Sequence, residues 1–285
     1  MIVGRIAELW RHPVKSMEGE RIQTAELGPQ GIPGDRAWAV RDERRGGIRG
    51  AKKIANLMRC QARLPSEPKD GEVPPAEITL PDRSTISAAD GDANERLSKA
   101  LGTPVTLWPL LPATELDHYR RGKPDHEDVL TELRSIFGRE PNEPLPNLGV
   151  FPPDLVQYES PPGPYFDAFP LLLLTDASLR HLAELAPDSK IDARRFRPNL
   201  LIRSPEAGFP EIAWEGKRIV VGNATLAVTV GCPRCVMITH GFADLPRDPA
   251  LMRVVVRDAD QKMGVYARVE KPGTVRVGDE LLLVS

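Results

Sequence analysis

Cys232 and Cys235 flank Pro233 and Arg234 just beyond an alternating apolar run, Leu226–Val230, that reads as a strand broken by Gly231. Two of the chain's three cysteines therefore stand beside a cation at a strand end. A thiol near an arginine is more fully thiolate, the form that ligates metals. Four readings of the pair are open. A structural zinc site needs two more Cys or His ligands, and the remaining thiol, Cys60, lies in an unrelated segment while His240 is the one nearby imidazole. A thioredoxin-like dithiol wants a helix N-terminus, where the dipole lowers the thiol pKa, whereas Val236–Thr239 has a strand-like pattern. A single soft thiolate could ligate a transition metal whose other ligands do not come from the protein. Finally, both thiols could be small buried core residues, the usual fate of a free cysteine.

The other candidate groups are polar residues at strand–loop junctions. Lys15 and Ser16 follow His12-Pro13-Val14 after a strand at Ile2–Trp10. Arg36 follows the Gly- and Pro-bearing turn Gly28–Gly34 and precedes a strand at Ala37–Arg41. Arg197 and Asn199 precede a strand at Leu200–Ile202, and Arg234 lies between the cysteines. Rigid strands aim residues from the loops between them. Brought together, these side chains would make a cationic, hydrogen-bonding pocket of the kind that holds a phosphate or other polyanion. His118 and His126, with no partner ligands nearby, are expected on the surface.

The remaining elements must position that set. Arg21–Leu27 reads as one strand, Ile78–Leu80 and Thr85–Ser87 as a hairpin, and Asp92–Leu101 as a helix stopped by Gly102. Arg44–Lys53 is basic and Gly-rich, expected as a solvated loop. Val105–Leu110 is another strand. Pro112–Pro164 is polar and Pro-rich with one helical stretch at Asp128–Phe137, a connection or insertion between two lobes. Phe169–Leu174 is a continuous apolar run, so a buried strand, and Thr175 caps a helix to Leu185. Gly222-Asn223 joins two strands in a hairpin that delivers the cysteine loop. Met252–Val256, Gly264–Glu270, Thr274–Val277 and Leu281–Val284 read as further short strands, a spacing typical of a barrel or sandwich.

The 285 residues suffice for one large or two modest domains. With 38 Lys+Arg against 40 Asp+Glu the net charge is −2, which argues against general nucleic-acid binding. Three cysteines make no disulfide framework. No apolar stretch approaches the ~20 residues of a membrane span, and the chain opens in a strand-like pattern with no signal-peptide core. The expectation is a cytoplasmic protein with no membrane span and no nucleic-acid partner.

Five motifs in order, His-Pro-Val-Lys-Ser at 12–16, Gly-Asp-Arg-Ala-Trp-Ala-Val at 34–40, Phe-Arg-Pro-Asn at 196–199, Cys-Pro-Arg-Cys at 232–235 and Pro-Gly-Thr-Val-Arg-Val-Gly-Asp at 272–279, resemble MOSC-domain proteins, the amidoxime-reducing components among them. The resemblance implies a β-dominated α+β fold: an N-terminal MOSC-associated β-barrel-like region at 1–111, the polar connection at 112–164 and a MOSC β-barrel at 165–285. It implies a molybdenum cofactor of the molybdopterin type, not pyridoxal phosphate, with Cys235 as the protein's metal ligand and catalytic position. Lys15, Ser16, Arg36, Thr175, Arg197, Asn199 and Arg234 match cofactor contacts, and Ser178 matches more weakly. The implied activity is two-electron reduction of a small N-hydroxylated or N-oxide-type substrate. Electrons would come from a separate ferredoxin- or flavin-type protein, because no such module is attached. The alternative is a carrier that hands on the cofactor, or sulfur held on Cys232 or Cys235. The stretch after Cys235, Thr239–Pro249, lacks the Asp-rich turn of the amidoxime-reducing members, and Pro112–Pro164 is unusual among them.

Overall fold

In the computed structural model, which describes residues 1–69 and 71–284, seven strands close into a barrel. The first, Ile2–Arg11, has a partner on each edge: antiparallel Leu200–Arg203 on one side and antiparallel Glu280–Val284 on the other. From Leu200–Arg203 the order runs through Leu171–Thr175, Lys262–Lys271, Ala224–Pro233 and Arg218–Val221 to Glu280–Val284. The pair Leu171–Thr175 and Leu200–Arg203 is parallel, which requires a crossover. Helix Asp176–Leu185 supplies it. Closure satisfies the backbone groups that an open sheet would leave at its edges.

The run of four leucines at 171–174 is explained by its place in this wall. Leu171 and Leu173 face the barrel interior with Val3, Ile6, Leu9, Leu200, Ile202 and Val265. Leu174 faces outward, into a layer formed by Leu182 of helix Asp176–Leu185 and by Leu251, Met252 and Val255. Both faces are covered, so alternation disappears, as in any strand buried on two sides. Gly264 lets the neighbouring strand approach: its φ is +77°, and a Cβ there would lie 2.6 Å from the Leu173 carbonyl oxygen.

A second core belongs to the N-terminal part, where Val14, Met17, Val40, Leu57, Ile78, Ile86, Leu97 and Val105 pack together. It is framed by two small sheets, Trp38–Asp42 with Val105–Pro109, and Gln61–Arg63, Glu77–Thr79 and Thr85–Ser87. Met237 and Phe242 enter this core from the C-terminal half, and Cys235 packs at its margin. Cys60 is buried there, and burial pushes its thiol up to about 12.

Several expectations need correction. Met252–Val256 is not a strand but part of helix Pro249–Asp258. Asp248 caps it by accepting from the Leu251 N–H, Pro249 occupies the first turn, and Leu251, Met252 and Val255 form one apolar face. The cap outweighs the β-branched run Val254–Val256. Arg21–Leu27 splits in two: Glu20–Ile22 pairs with the first barrel strand, and Thr24–Leu27 pairs with Gly273–Arg276. Val236–Thr239 is a short 3-10 turn. Arg44–Lys53 is not a solvated loop. Its Ile48, Arg49, Gly50 and Ala51 are buried, Arg49 and Lys53 both pair with Asp125, and Lys53 reaches Glu132. His118 is 8 % exposed, its Nε2 2.5 Å from Tyr165 Oη within a cluster of Tyr119, Tyr158 and Tyr165, whereas His126 is on the surface as expected. Among the described residues no helix is long and apolar enough to cross a membrane.

Leu173 pairs with Leu200 on one side and Val265 on the other, and all three are fully buried. Leu173→Ala is therefore expected to lower unfolding free energy by about 2–5 kcal/mol. Urea denaturation measures it, and a loss below the lower bound would contradict the two-sided burial.

Candidate active site

Because the first barrel strand belongs to the N-terminal part, its following loop opens onto the same end of the barrel as the loops of the C-terminal strands. One pocket lies there. It is lined by Lys15, Ser16 and Arg36 from the N-terminal part, and by Arg195, Arg197, Asn199, Cys232, Arg234 and Cys235 from the C-terminal part. Phe166, Asp167, Phe169, Leu172, Phe196, Pro233, Met237 and Tyr266 complete the wall.

The backbone is strained at three of these positions. Ser16, Arg36 and Arg197 have φ of +69°, +50° and +58°, a region that L-residues with side chains rarely occupy. Such strain is held in place by surrounding contacts and concentrates at functional sites. Here the contacts are plain. Ser16 Oγ accepts from the Ala51 N–H at 2.9 Å. Arg36 donates to Asp35, to Asn199 Oδ1 at 3.2 Å and to the Arg197 carbonyl at 3.4 Å. Asn199 also accepts from the Leu172 N–H at 3.1 Å and donates to the Trp10 carbonyl at 3.3 Å. Its polar atoms are thereby taken up by protein groups, so Asn199 ties the two halves together and orients Arg36.

The cations divide into those already satisfied and those with donors to spare. Lys15 Nζ donates to Asp167 Oδ1 at 2.7 Å, the Tyr165 carbonyl at 2.9 Å and Ser160 Oγ at 3.2 Å, its full complement of three. Arg195 spends its donors on the carbonyls of Lys190, Ile238, His240 and Pro246, and so secures the stretch after Cys235. Arg197 donates one Nη to the Met17 carbonyl, while its Nη2 is buried with no partner. Burial, reinforced by nearby Arg36, pushes the Arg197 guanidinium down to about 9, so it is still cationic at neutral pH. A buried, unpartnered N–H beside another guanidinium is a costly arrangement unless an acceptor is supplied. Arg234 lies over the Phe196 ring at 5.4 Å, donates to the Phe196 carbonyl at 2.7 Å and to Cys232 Sγ at 3.0 Å, and its Nε too is unpartnered.

The two thiols differ. Cys232 is 3 % exposed, and burial raises its thiol against the opposing pull of Arg234. Cys235 is half-buried and borders the pocket. Among the described residues no three Cys, His, Asp or Glu side chains converge as a metal cage. A metal at Cys235 would accordingly draw its other ligands from a bound group. The residues present fit an anionic cofactor that brings its own metal ligands: one accessible thiol, and unpartnered guanidinium N–H groups in the same cleft.

Thr175 is not part of this pocket. It is fully buried, its Oγ1 donates to Glu211 at 2.6 Å and caps the Ser178 N–H at 3.1 Å, and Ser178 Oγ donates to the same carboxylate. The pair serves a helix N-terminus around a buried glutamate. Lys52 and Asp167 were not singled out from the sequence. Lys52 Nζ reaches Asp167 Oδ2 at 3.2 Å, opposite Lys15, and Asp167 together with Cys235 raises it above its ordinary range against the effect of burial. Lys52 sits in a basic loop and Asp167 in a Pro-rich stretch, so neither carries a local signal.

Burial would raise the Asp167 carboxyl, yet Lys15 and Lys52 hold it well below the usual carboxylate range. A depressed folded-state pKa stabilises the fold above the unfolded value of about 4, and that contribution fades as pH falls below it. Asp167 is 39 % exposed, so Asp167→Asn should cost only about 1–3 kcal/mol at pH 7. The gap between wild type and variant should hold down to about pH 5 and shrink below about pH 4. Urea unfolding across that range measures it, and a gap independent of pH would contradict the pairing.

Residues 3–103 match the MOSC N-terminal beta barrel domain and residues 163–282 match the MOSC domain. Mitochondrial amidoxime-reducing component 1 of Homo sapiens is 26% identical over 313 residues, covering 99% of this chain and 84% of that protein. Mitochondrial amidoxime reducing component 2 of Bos taurus is 25% identical over 300 residues, covering 97% and 82%. Among solved structures, the YUAD protein from Bacillus subtilis aligns over 99% of this chain and 95% of its own, at 14% identity and a TM-score of 0.44. With both domain types matched in sequence, together over most of the chain, and a seven-stranded barrel that Ile2–Arg11 closes against six strands of the C-terminal half, the chain belongs to the MOSC family.

Proposed function

We propose that this protein is a molybdenum-dependent reductase that removes oxygen from small N-hydroxylated compounds. The observation that carries the reading is the pocket itself: a half-buried thiol at Cys235 faces a cleft where Arg197 Nη2 is buried without an acceptor. Relatives over nearly the full chain are named for amidoxime reduction, which supports the substrate class.

A molybdopterin-type cofactor held there would supply a two-electron redox couple suited to oxygen-atom transfer. The chain's own residues do the rest. Cys235 would offer the protein's sulfur ligand, and Arg234 stands beside it. Arg197 Nη2 and the Arg36 guanidinium offer donors to the anionic part of the cofactor, with Asn199 and Asp35 fixing Arg36 in place. Ser16, its hydroxyl engaged by Ala51, holds the loop that carries Lys15. Phe166, Phe169 and Met237 line the cleft with apolar surface that limits water. The net reaction consumes two electrons and two protons for each N–OH converted to N–H plus water. A separate ferredoxin- or flavin-type protein would deliver the electrons. Lys52 Nζ, one-fifth exposed, stands behind the cleft wall and pairs with Asp167, which lines it. The 3 % exposure of Cys232 weighs against that thiol as a sulfur carrier.

Protein produced in cells that make molybdenum cofactor should contain molybdenum and release a fluorescent pterin on oxidation, and should turn over an N-hydroxylated amidine with a chemical reductant. Cys235→Ser should abolish turnover and alter the metal's spectrum while pterin stays largely bound; full activity in this variant would remove the ligand assignment. Arg36→Ala and Arg197→Met should each weaken pterin retention by about 1–3 kcal/mol. Unchanged pterin content in both would contradict the anion pocket.

A further inference from the structure

The polar segment before the barrel reaches the cysteine loop through one buried guanidinium. Helix Val129–Phe137 ends at Gly138, whose φ of +61° turns the chain, and a Cβ there would lie 3.3 Å from Val236 Cα. The turn thus rests directly on the residue after Cys235. Arg139 follows and is 6 % exposed. Its Nη2 donates to the Arg234 carbonyl at 3.2 Å, and Nε and Nη2 together span Gln261 Oε1 at 3.3 and 3.2 Å. Its Nη1 donates to the Phe137 carbonyl and meets Met252 Sδ at 2.9 Å. The Gln261 carbonyl, in turn, accepts from the Arg234 N–H at 2.8 Å. Both backbone polar atoms of Arg234 are therefore gripped, one by Gln261 and one by Arg139. Arg253 locks the turn from its other side by donating to the Gly138 carbonyl and Glu143. Neither Arg139 nor Gln261 borders the pocket.

The Arg234 carbonyl belongs to the peptide that joins Arg234 to Cys235, so fixing that plane fixes the N–Cα bond of Cys235 and leaves rotation about it as the remaining backbone freedom that directs the side chain. We propose that Arg139 is a positioning residue that holds the Arg234–Cys235 peptide so that Cys235 Sγ faces the pocket. A planar guanidinium serves the Arg234 carbonyl, Gln261 and Phe137 at once from donors spread over three nitrogens in a rigid fork, a geometry that the single nitrogen of a lysine does not reproduce. The inserted segment is in this sense part of the thiol's support. The inference rests on Cys235 as the pocket's reactive thiol, and its test needs no cofactor.

The cofactor-free full chain is treated with iodoacetamide, and the alkylation rate of each cysteine is followed by mass spectrometry. In wild type Cys235 should react while Cys60 and Cys232 are protected. Arg139→Ala and Gln261→Asn, which keeps a residue tolerant of positive φ at 261, should each accelerate Cys235 alone by roughly tenfold through local loosening, with Arg139→Lys in between. Leu281→Ala, a fully buried barrel residue paired with Gly4 and Val221 away from the pocket end of the first strand, serves as the control and should leave the Cys235 rate near wild type while the protein is folded. An unchanged Cys235 rate in Arg139→Ala and Gln261→Asn, or equal acceleration of all three thiols, would overturn the proposal. Should Arg139→Ala fail to fold, Gln261→Asn decides. Selective acceleration in a protein that never retains molybdenum supports the positioning role and removes the cofactor reading.

Discussion

A barrel can close only if its first strand finds a partner on both edges, and in this chain that requirement draws the N-terminus into the C-terminal domain. Ile2–Arg11 bridges Leu200–Arg203 and Glu280–Val284, strands that lie some two hundred or more positions later. The loop that leaves this strand carries His12 to Ser16. It is therefore delivered to the barrel end where the Phe196–Asn199 and Cys232–Cys235 segments emerge. The pocket is a consequence of strand pairing, and its opposite walls are covalently distant but mechanically continuous. Asn199 makes the continuity literal, joining Trp10, Leu172 and Arg36 through one side chain.

The electrostatics follow from that closure. Several guanidinium groups are brought into a cleft where few carboxylates accompany them, and the protein compensates selectively. Asp35 is spent on Arg36, Asp167 on Lys15 and Lys52, and carbonyl oxygens on Arg195 and Arg234. Arg197 is buried with no carboxylate of its own, and that burial, reinforced by nearby Arg36, is why its proton is held less firmly than an ordinary arginine's. Left-handed backbone at Ser16, Arg36 and Arg197 adds to this stored cost. A protein carries such a concentration of unmet donors and strain where a ligand is to supply the balance.

Histidine 12 shows how far the same field reaches. It is buried, stacked on Trp10 at 6.2 Å, and has Nε2 3.2 Å from the Pro198 carbonyl. Burial, with Arg197 and Arg36 adding to it, holds the ring neutral well below the ordinary histidine range. It packs at the junction of the two halves, where the two guanidinium groups beside it disfavour a further positive charge.

Local patterns carried much of this. The leucine run, the Gly222-Asn223 hairpin, the helices after Asp92, Asp128 and Thr175, and the placement of Lys15, Ser16, Arg36, Arg197, Asn199, Arg234 and Cys235 at element ends were all legible, because each depends on neighbours within a few residues. Where two local signals conflicted, the weaker was mistaken for the stronger, as at Val254–Val256 behind the Asp248-Pro249 cap. What only the tertiary structure decided were relations between distant segments: Lys15 satisfied by Asp167, Thr175 turned away to Glu211, the basic loop neutralised by Asp125 and Glu132, and Arg139 gripping the Arg234 carbonyl. Hydrogen bonds and ion pairs act over a few ångströms regardless of sequence separation. Residue types could therefore nominate the members of the pocket, while barrel closure alone settled which donors were spent on the protein and which remained free.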